Sequence, residues 1–197
     1  MNWIDWIYYR PGLALAGLWL AWAVSWLAAA IWSSRAEKRA SFGSELWYRL
    51  VLIAGGVIFA VPSERPGQIR LWPLMSLDAV WACIAVALAG FLFCWWARIY
   101  LGELWSGWIT KKPGHRIVDT GPYAIVRHPI YTGLLIAIFA TMAAKGTLLG
   151  LAGAVLIALS IWMKARLEEK FLRDELGAAA YDDYRRRVPM LVPFGPR

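Results

Sequence analysis

The chain has 197 residues, of which 60% are hydrophobic and 17% charged, and its mean hydropathy is +0.49. Soluble domains of this length usually have about 45–50% apolar and about 25% charged residues, so the composition excludes an ordinary soluble domain and indicates one integral membrane domain. The net charge of +8 and the fourteen tryptophans indicate basic loops beside anionic lipid headgroups and aromatic side chains at the membrane surface, with no nucleic-acid partner.

Apolar segments predict about five transmembrane helices. In chain order they are residues 13–32, 46–61, 74–97, 130–143 and 147–163. The first is free of charged residues and has the length that crosses about 30 Å of hydrocarbon. The last two flank a short polar break at residues 144–146 and predict a tight helical hairpin, for which a re-entrant path is the alternative. We therefore predict an all-α integral membrane protein.

The basic residues predict which loops are cytoplasmic. Seventeen of the 21 lysines and arginines lie in residues 33–49, 98–129 and 164–197. The positive-inside rule places these segments in the cytoplasm and the N-terminus outside. A single membrane domain, residues 1–197, then consists of three N-terminal spans (1–97) and a C-terminal half (98–197) whose polar connection and charged tail share the cytoplasmic face.

Residues 115–131 form a polar, turn-rich segment between apolar ones, and they hold both histidines of the chain. Pro129 fixes its own φ and biases His128 away from helix. Irregular backbone near membrane depth must line a cavity or be buried in protein, and its free N–H and C=O groups are then available to a ligand. Further donors and rings come from Tyr123, Arg127 and Tyr131. The segment indicates either a site for a polar small molecule or a set of interfacial anchors in an aromatic belt.

The charged tail contains a second candidate cluster. Lys164 and Glu168 are four residues apart and so lie on one helix face, with Glu169 beside them. They form either a surface ion pair or a polar group at the mouth of a membrane cavity. His115 and His128, with no cysteine near them, do not make a zinc ligand set, so we predict no metal site. The sequence has neither a GxGxxG nor a Walker motif for a nucleotide.

Two motif blocks resemble the isoprenylcysteine carboxyl methyltransferase family and the related phospholipid N-methyltransferases over about residues 95–194. The blocks are Gly121-Pro122-Tyr123-x-x-x-Arg127-His128-Pro129-x-Tyr131-x-Gly133 and Glu168-Glu169-x-x-Leu172, followed by Gly177, Tyr181-x-x-Tyr184, Arg187-Val188-Pro189 and Pro193. The resemblance implies an integral membrane enzyme that binds S-adenosylmethionine in a cytoplasmic pocket of its C-terminal half. Its second substrate would be lipophilic or lipidated and would enter from the bilayer, among membrane lipids.

The resemblance also implies roles for individual residues. Cofactor contacts are implied at Trp108, His115, Arg116, Ile117, Val118, Tyr123, His128, Pro129, Ile130, Tyr131 and Glu168. Catalytic or substrate-side roles fall to Lys164, Arg166, Glu168, Glu169 and Arg187. In the prenylcysteine enzymes an arginine stands where this chain has Lys164 and faces the substrate carboxylate. Lysine keeps the charge but lacks the bidentate fork of arginine.

The methyl acceptor stays open at this point. A carboxylate needs no base before direct in-line methyl transfer, whereas an amine or a thiol must lose a proton, for which Glu168, Glu169 or His128 are candidates. We favour an enzyme resembling protein-S-isoprenylcysteine O-methyltransferase, with a phospholipid N-methyltransferase or a thiol methyltransferase as alternatives. An NADPH-dependent membrane reductase and a non-enzymatic membrane protein are hypotheses of other classes.

Overall fold

The computed structural model describes residues 7–33, 36–114 and 116–195. Within these residues the chain forms seven α-helices and one pair of short strands. The helices are α1 (Pro11–Ala29), α2 (Phe42–Ala60), α3 (Leu77–Leu101), α4 (Pro122–Ile125), α5 (Pro129–Lys145), α6 (Leu148–Leu176) and α7 (Ala178–Arg187). Short 3₁₀ helices, Ala30–Trp32 and Gly102–Leu104, follow α1 and α3. The mainly helical architecture is as predicted.

Four of the described helices are long and apolar enough to cross a membrane. These segments are Pro11–Trp32, Gly43–Ala60, Leu77–Leu104 and Leu148–Leu176. The apolar helix α5 has 17 residues, and at about 1.5 Å per residue it extends about 25 Å, less than a hydrocarbon core of about 30 Å. The first two spans agree with the predicted segments to within about three residues. The third and the last begin within about three residues of the prediction but extend beyond the predicted ends at residues 97 and 163, to Leu104 and Leu176. A crossing by α5 stays a prediction.

Glycines let the long helices pack backbone against backbone. A Cβ atom added to Gly133 of α5 would lie 2.4 Å from the carbonyl oxygen of Gly90 in α3. At a second crossing, a Cβ atom added to Gly153 of α6 would lie 2.5 Å from the backbone nitrogen of Phe59 in α2. Small residues at such crossings allow the close approach on which helix association in membranes depends. The fold is therefore built from an α3–α5 pair and an α2–α6 pair.

Helix α6 continues without a break from the membrane segment into the charged tail. It runs for 29 residues from Leu148 to Leu176, so the predicted apolar span and the predicted charged helix form one element. Thr147 caps its first turn by accepting a hydrogen bond from the backbone N–H of Gly150, 3.1 Å away. Gly177, with φ +101°, separates α6 from α7, as the sequence predicts for a residue at the end of this helix.

Two strands that the sequence analysis did not predict join distant loops. Strand β1 (Lys38–Arg39) pairs antiparallel with β2 (Thr110–Lys111). Glu175 near the end of α6 accepts a hydrogen bond from Lys38, and its carboxylate lies 3.6 Å from the ammonium of Lys111. The loop before α2 and the loop after α3 are thereby fixed against the C-terminal end of α6.

Buried cations anchor the loop that follows α3. The guanidinium of Arg98 donates to the carbonyl oxygens of Gly102 and Ala29, at 2.7 and 2.8 Å. The ammonium of Lys112 donates to the hydroxyl of Ser33 and to the carbonyl oxygen of Glu103, each 2.6 Å away. Cations are favourable at the carbonyl-rich ends of helices, so these two side chains hold residues 102–112 against the ends of α1 and α3.

Candidate functional site

A cavity of about 240 Å³ opens between α5, α6 and the loops that follow α3. Its wall is mainly aromatic and aliphatic, with a small number of charged groups. Twelve of the residues that the sequence analysis selected as donors, rings or site residues line it: Trp108, Arg116, Ile117, Val118, Tyr123, Arg127, His128, Pro129, Ile130, Tyr131, Lys164 and Glu168. The structure therefore brings the central motif and the charged tail together, as a shared site requires.

The backbone before α5 is irregular, as Pro129 predicts. His128 has φ −124° and ψ 64°, and Pro129 occupies the first turn of the helix. The N–H groups of Arg127 and His128 donate to the carbonyl oxygens of Pro189 and Met190, at 2.8 and 3.1 Å. The sequence analysis expected free backbone groups to be available to a ligand. At these two residues that expectation was wrong, because the C-terminal segment uses both N–H groups.

Glu169 belongs to a buried network behind the cavity. Its carboxylate accepts hydrogen bonds from Nε of Arg127, 2.7 Å away, and contacts Nε2 of His128 at 3.2 Å. The same Arg127 guanidinium donates to the carbonyl oxygens of Val188 and, at 3.2 Å, Arg185. Glu169 is 4% exposed. This network joins α6 to the C-terminal segment, and Glu169 does not line the cavity.

Glu168 and Lys164 are the acidic and the basic side chain that α6 contributes to the cavity wall. Glu168 accepts a hydrogen bond of 2.7 Å from the phenol of Tyr131. Lys164 donates to the carbonyl oxygen of Gly107 at 3.0 Å, and its ammonium lies 5.5 Å from the ring centre of Tyr131. The sequence analysis left a surface ion pair between the two as one of two alternatives, and no such pair is present among the ion pairs of the described residues. Both side chains line the cavity.

The aromatic residues of the wall are held as neutral donors. Burial raises the pKa of the Tyr123 and Tyr184 phenols well above their ordinary value, so neither is a base at neutral pH. Tyr184 donates to the carbonyl oxygen of Tyr123 at 2.8 Å. The rings of His128 and Tyr131 stack with centroids 5.3 Å apart. The stacked pair lies next to the Glu168 carboxylate, to which the Tyr131 hydroxyl donates.

A cluster on α2 that the sequence analysis missed lies behind Trp108. Glu45 is 1% exposed and accepts hydrogen bonds from the phenol of Tyr48, at 2.8 Å, and from Arg49. The guanidinium of Arg49 lies 3.9 Å from the ring centre of Trp108. A signal for this cluster was present, because Glu45 and Arg49 are four residues apart at the start of an apolar span, where charged residues are rare.

Three other predicted residues lie away from the cavity or outside the described part of the chain. Arg166 is exposed, with its guanidinium 5.8 Å from the ring centre of Trp162. Arg187 pairs with Asp119 at 3.0 Å, which joins α7 to the loop before α4. His115 lies outside the described residues. The roles that the resemblance implies for these residues stay predictions.

Comparisons with known proteins agree with the motif blocks. The model of the isoprenylcysteine carboxyl methyltransferase (ICMT) family matches residues 69–174. Methanethiol S-methyltransferase 2 of Bradyrhizobium diazoefficiens is 48% identical, over 78% of this chain and 75% of that protein. Methanethiol S-methyltransferase of Mycobacterium tuberculosis is 34% identical, over 68% and 52%. Protein-S-isoprenylcysteine O-methyltransferase of Schizosaccharomyces pombe is 30% identical, over 51% and 43%. This chain is therefore an integral membrane methyltransferase that belongs to the isoprenylcysteine carboxyl methyltransferase family.

Proposed function

We propose that this enzyme transfers a methyl group from S-adenosylmethionine to the sulfur of a small thiol such as methanethiol. The observation that carries the proposal is the 48% identity to methanethiol S-methyltransferase 2 over three-quarters of both chains. The sequence analysis favoured a prenylcysteine carboxylate and kept a thiol as an alternative. The chain spans about half the length of two further relatives, from Mycobacterium tuberculosis and Schizosaccharomyces pombe. Because these partial matches do not define the acceptor, a thiol acceptor is part of the proposal.

The donor set of the cavity fits S-adenosylmethionine, which has an adenine ring, hydroxyl groups, a zwitterionic end and a sulfonium. The stacked rings of His128 and Tyr131 offer an aromatic surface, which suits both adenine and a cation. The Glu168 carboxylate suits an ammonium or ribose hydroxyls, and Arg116 suits a carboxylate. When bound, the cofactor supplies a methyl group on a positively charged sulfur. Arg116, Ile117, Val118, Tyr123, His128, Pro129, Ile130, Tyr131 and Glu168 would hold it.

The charged residues of α6 suit a thiol acceptor. A thiolate is the reactive form of a thiol, and a nearby ammonium favours it. Lys164 provides that positive charge on the cavity wall, and Glu168 is the cavity carboxylate that can accept the proton. A thiolate held beside Lys164 would be the nucleophile for the methyl group that the cofactor would supply. Because Lys164 lacks the fork that grips a carboxylate with two parallel hydrogen bonds, a prenylcysteine carboxylate is the weaker candidate.

The proposed topology places this chemistry in the cytoplasm. Seventeen of the 21 basic residues lie in the segments assigned to that side, and the positive-inside rule then puts the N-terminus outside. With α5 counted as a short fifth crossing, α5 and α6 form a membrane hairpin joined by Gly146 and Thr147. A cysteine-accessibility scan of the loops in intact cells would test this. Residue 64 lies in the loop between α2 and α3, which this topology places outside. Labelling of a cysteine at this position from the cytoplasm alone would contradict the topology.

An acceptor screen tests the proposed function. The purified enzyme in detergent is given S-adenosylmethionine labelled in its methyl group, together with methanethiol, a prenylcysteine analogue or phosphatidylethanolamine. We expect labelled dimethyl sulfide, measured by gas chromatography, and at least about tenfold less label in the other products. Transfer to prenylcysteine or to the phospholipid without transfer to methanethiol would overturn the proposal. Binding of NADPH in place of S-adenosylmethionine would overturn the reaction class.

A further inference from the structure

The loop of residues 105–109 covers one side of the cavity, and α2 holds it there. We call Glu45, Tyr48 and Arg49 the α2 anchor. Oε1 of Glu45 accepts a hydrogen bond of 3.3 Å from the backbone N–H of Ile109. Its other oxygen accepts from Tyr48 and Arg49. A fully buried carboxylate thus fixes the backbone of this loop and the side chain of Arg49 together.

Arg49 in turn fixes the indole of Trp108. The guanidinium lies 3.9 Å from the ring centre, within the range in which cation–π attraction is effective. Trp108 lines the cavity and is 42% exposed, so its ring stands between the cavity and the outside. Among the aromatic and cation–π contacts of the described residues, the Trp108 ring has the one with Arg49, so this contact bears on where the ring lies.

Lys164 meets the same loop from the opposite helix. Its ammonium donates to the carbonyl oxygen of Gly107 and lies 5.9 Å from the ring centre of Tyr48. The hydroxyl of Ser160, one turn before Lys164 on α6, donates to the carbonyl oxygen of Tyr48 at 2.7 Å. The loop and Lys164 therefore form one side of the cavity, and the α2 anchor lies behind them. Lys164 stands between this side and the stacked rings, since its ammonium also lies 5.5 Å from the ring centre of Tyr131.

The extent of the family match also separates this side from the rest. The family model matches residues 69–174, a range that includes Trp108 and Lys164 and excludes α2. The relatives carry names of different methyl acceptors, a thiol in one case and a prenylcysteine in another. The part of the cavity wall that α2 holds in place can therefore differ between family members that use different acceptors.

We propose that Arg49 is a positioning residue for acceptor specificity: it holds the Trp108 indole as the wall that limits the size of the thiol reaching Lys164. This inference rests on the proposed function. The resemblance implies that Trp108 contacts the cofactor, whereas this inference assigns it to the acceptor side of the cavity. Loss of the Arg49 contact frees the ring and enlarges the space beside Lys164, while the cofactor side stays intact.

The test compares wild type with Arg49→Met in detergent, using methanethiol, propanethiol and hexanethiol. We expect the KM for methanethiol to rise about fivefold, the size of a lost cation–π contact. The kcat/KM ratio of hexanethiol to methanethiol is expected to rise about tenfold, the scale on which pockets discriminate a few methylene groups. The dissociation constant for S-adenosylmethionine, measured by calorimetry, should change less than twofold.

Two further variants make the test specific. Trp108→Leu should give the same shift in selectivity, and combining it with Arg49→Met should add little, because both changes act on one contact. Trp162→Leu removes an exposed ring that lies next to Arg166 and does not line the cavity, so it should leave selectivity unchanged. Unchanged selectivity in Arg49→Met, or a parallel loss of S-adenosylmethionine binding, would overturn the inference.

Failure of the proposed function has a different signature. If the wild-type enzyme methylates no thiol, the proposed acceptor is wrong, and the same size comparison is then made with homologues of the acceptor found in the screen. Hydrogen exchange of residues 105–109 provides a readout without any acceptor. It should be faster in Arg49→Met than in wild type, and equal exchange would show that Arg49 does not hold the loop.

Discussion

Replacing Glu169 by alanine is expected to destabilise the fold far more than replacing its neighbour Glu168 by glutamine. Glu169 is 4% exposed and its carboxylate contacts Arg127 and His128. Its removal leaves the Arg127 guanidinium, whose side chain is 3% exposed, without a counter-ion. Water cannot replace the lost partner at such a site, so the desolvation cost of the arginine is no longer offset.

The magnitude follows from that burial. Removing one partner of a buried ion pair costs about 3–5 kcal/mol. For a chain of this size, 1 kcal/mol corresponds to a change in Tm of about 2–4 °C, so we expect Glu169→Ala to lower Tm by at least about 6 °C. Glu169→Gln keeps an oxygen that accepts from Arg127 and loses only the charge, so its effect should be about half as large.

Glu168 is the matched control, because it is the same residue type one position away on the same helix. Glu168→Gln keeps an acceptor for the Tyr131 phenol and removes the carboxylate from the cavity. We expect its Tm to stay within about 2 °C of wild type, since the site is half-buried and the hydrogen bond is retained. Its kcat for methyl transfer should fall at least about 100-fold, the usual scale for a lost proton acceptor.

The assay is thermal unfolding in detergent, followed by steady-state kinetics at a temperature where both variants are folded. Hydrogen exchange of residues 185–191 provides a second readout, because Arg127 joins this segment to Glu169. If Glu169→Ala unfolds at the wild-type temperature, the network does not stabilise the fold. If Glu169→Gln loses activity and keeps its Tm while Glu168→Gln stays active, the roles of the two carboxylates are reversed.

Three further predictions concern packing, charge and the loop after α3. Gly133→Ala should lower Tm in detergent, because its Cβ would lie 2.4 Å from the backbone oxygen of Gly90 and overpacking costs about 1–3 kcal/mol; Gly56→Ala, with open space around it, should not. Lys164→Gln should raise the KM for the thiol about tenfold, as expected for a lost charge contact. Binding of S-adenosylmethionine, measured by calorimetry, should not change. A shift in cofactor affinity alone would place Lys164 on the cofactor side of the cavity. Lys112→Met should leave buried carbonyl oxygens unpaired at about 1–3 kcal/mol each, and equal thermal stability would refute this anchoring.

Most of the helical framework is readable from the sequence because hydrophobic runs determine which segments are buried in lipid. The residues at which the helices end, and the length of α5, are harder to predict from the sequence, since they depend on capping residues and on contacts with neighbouring helices. The charged helix that the sequence analysis expects from Lys164 onward is the continuation of the last apolar segment within α6. The pairing of β1 with β2 joins residues more than 70 positions apart (Lys38 with Lys111), and no local pattern reports such a contact.

In the site, too, some features can be predicted from residue spacing and others depend on how the helices pack. Spacing correctly puts Lys164 and Glu168 on one face of a helix, because residues four apart are neighbours on its surface. Spacing does not tell which of Glu168 and Glu169 faces the cavity, since that depends on how α6 is rotated against α5. The α2 anchor is also beyond local patterns, because Arg49 and Trp108 meet only through the packing of α2 beside the loop after α3.

The partners of Lys164 bear on the acceptor more than any other feature of the site. A lysine close to a membrane is costly unless its charge is compensated. The ammonium of Lys164 donates to the carbonyl oxygen of Gly107. The nearby Glu168 carboxylate accepts its hydrogen bond from Tyr131 and not from Lys164. The Lys164 ammonium lies on the cavity wall, where it can act on whatever enters the cavity. A carboxylate acceptor would miss the second hydrogen bond that an arginine offers. A thiolate is a small anion that needs one positive charge beside it, and Lys164 supplies that charge.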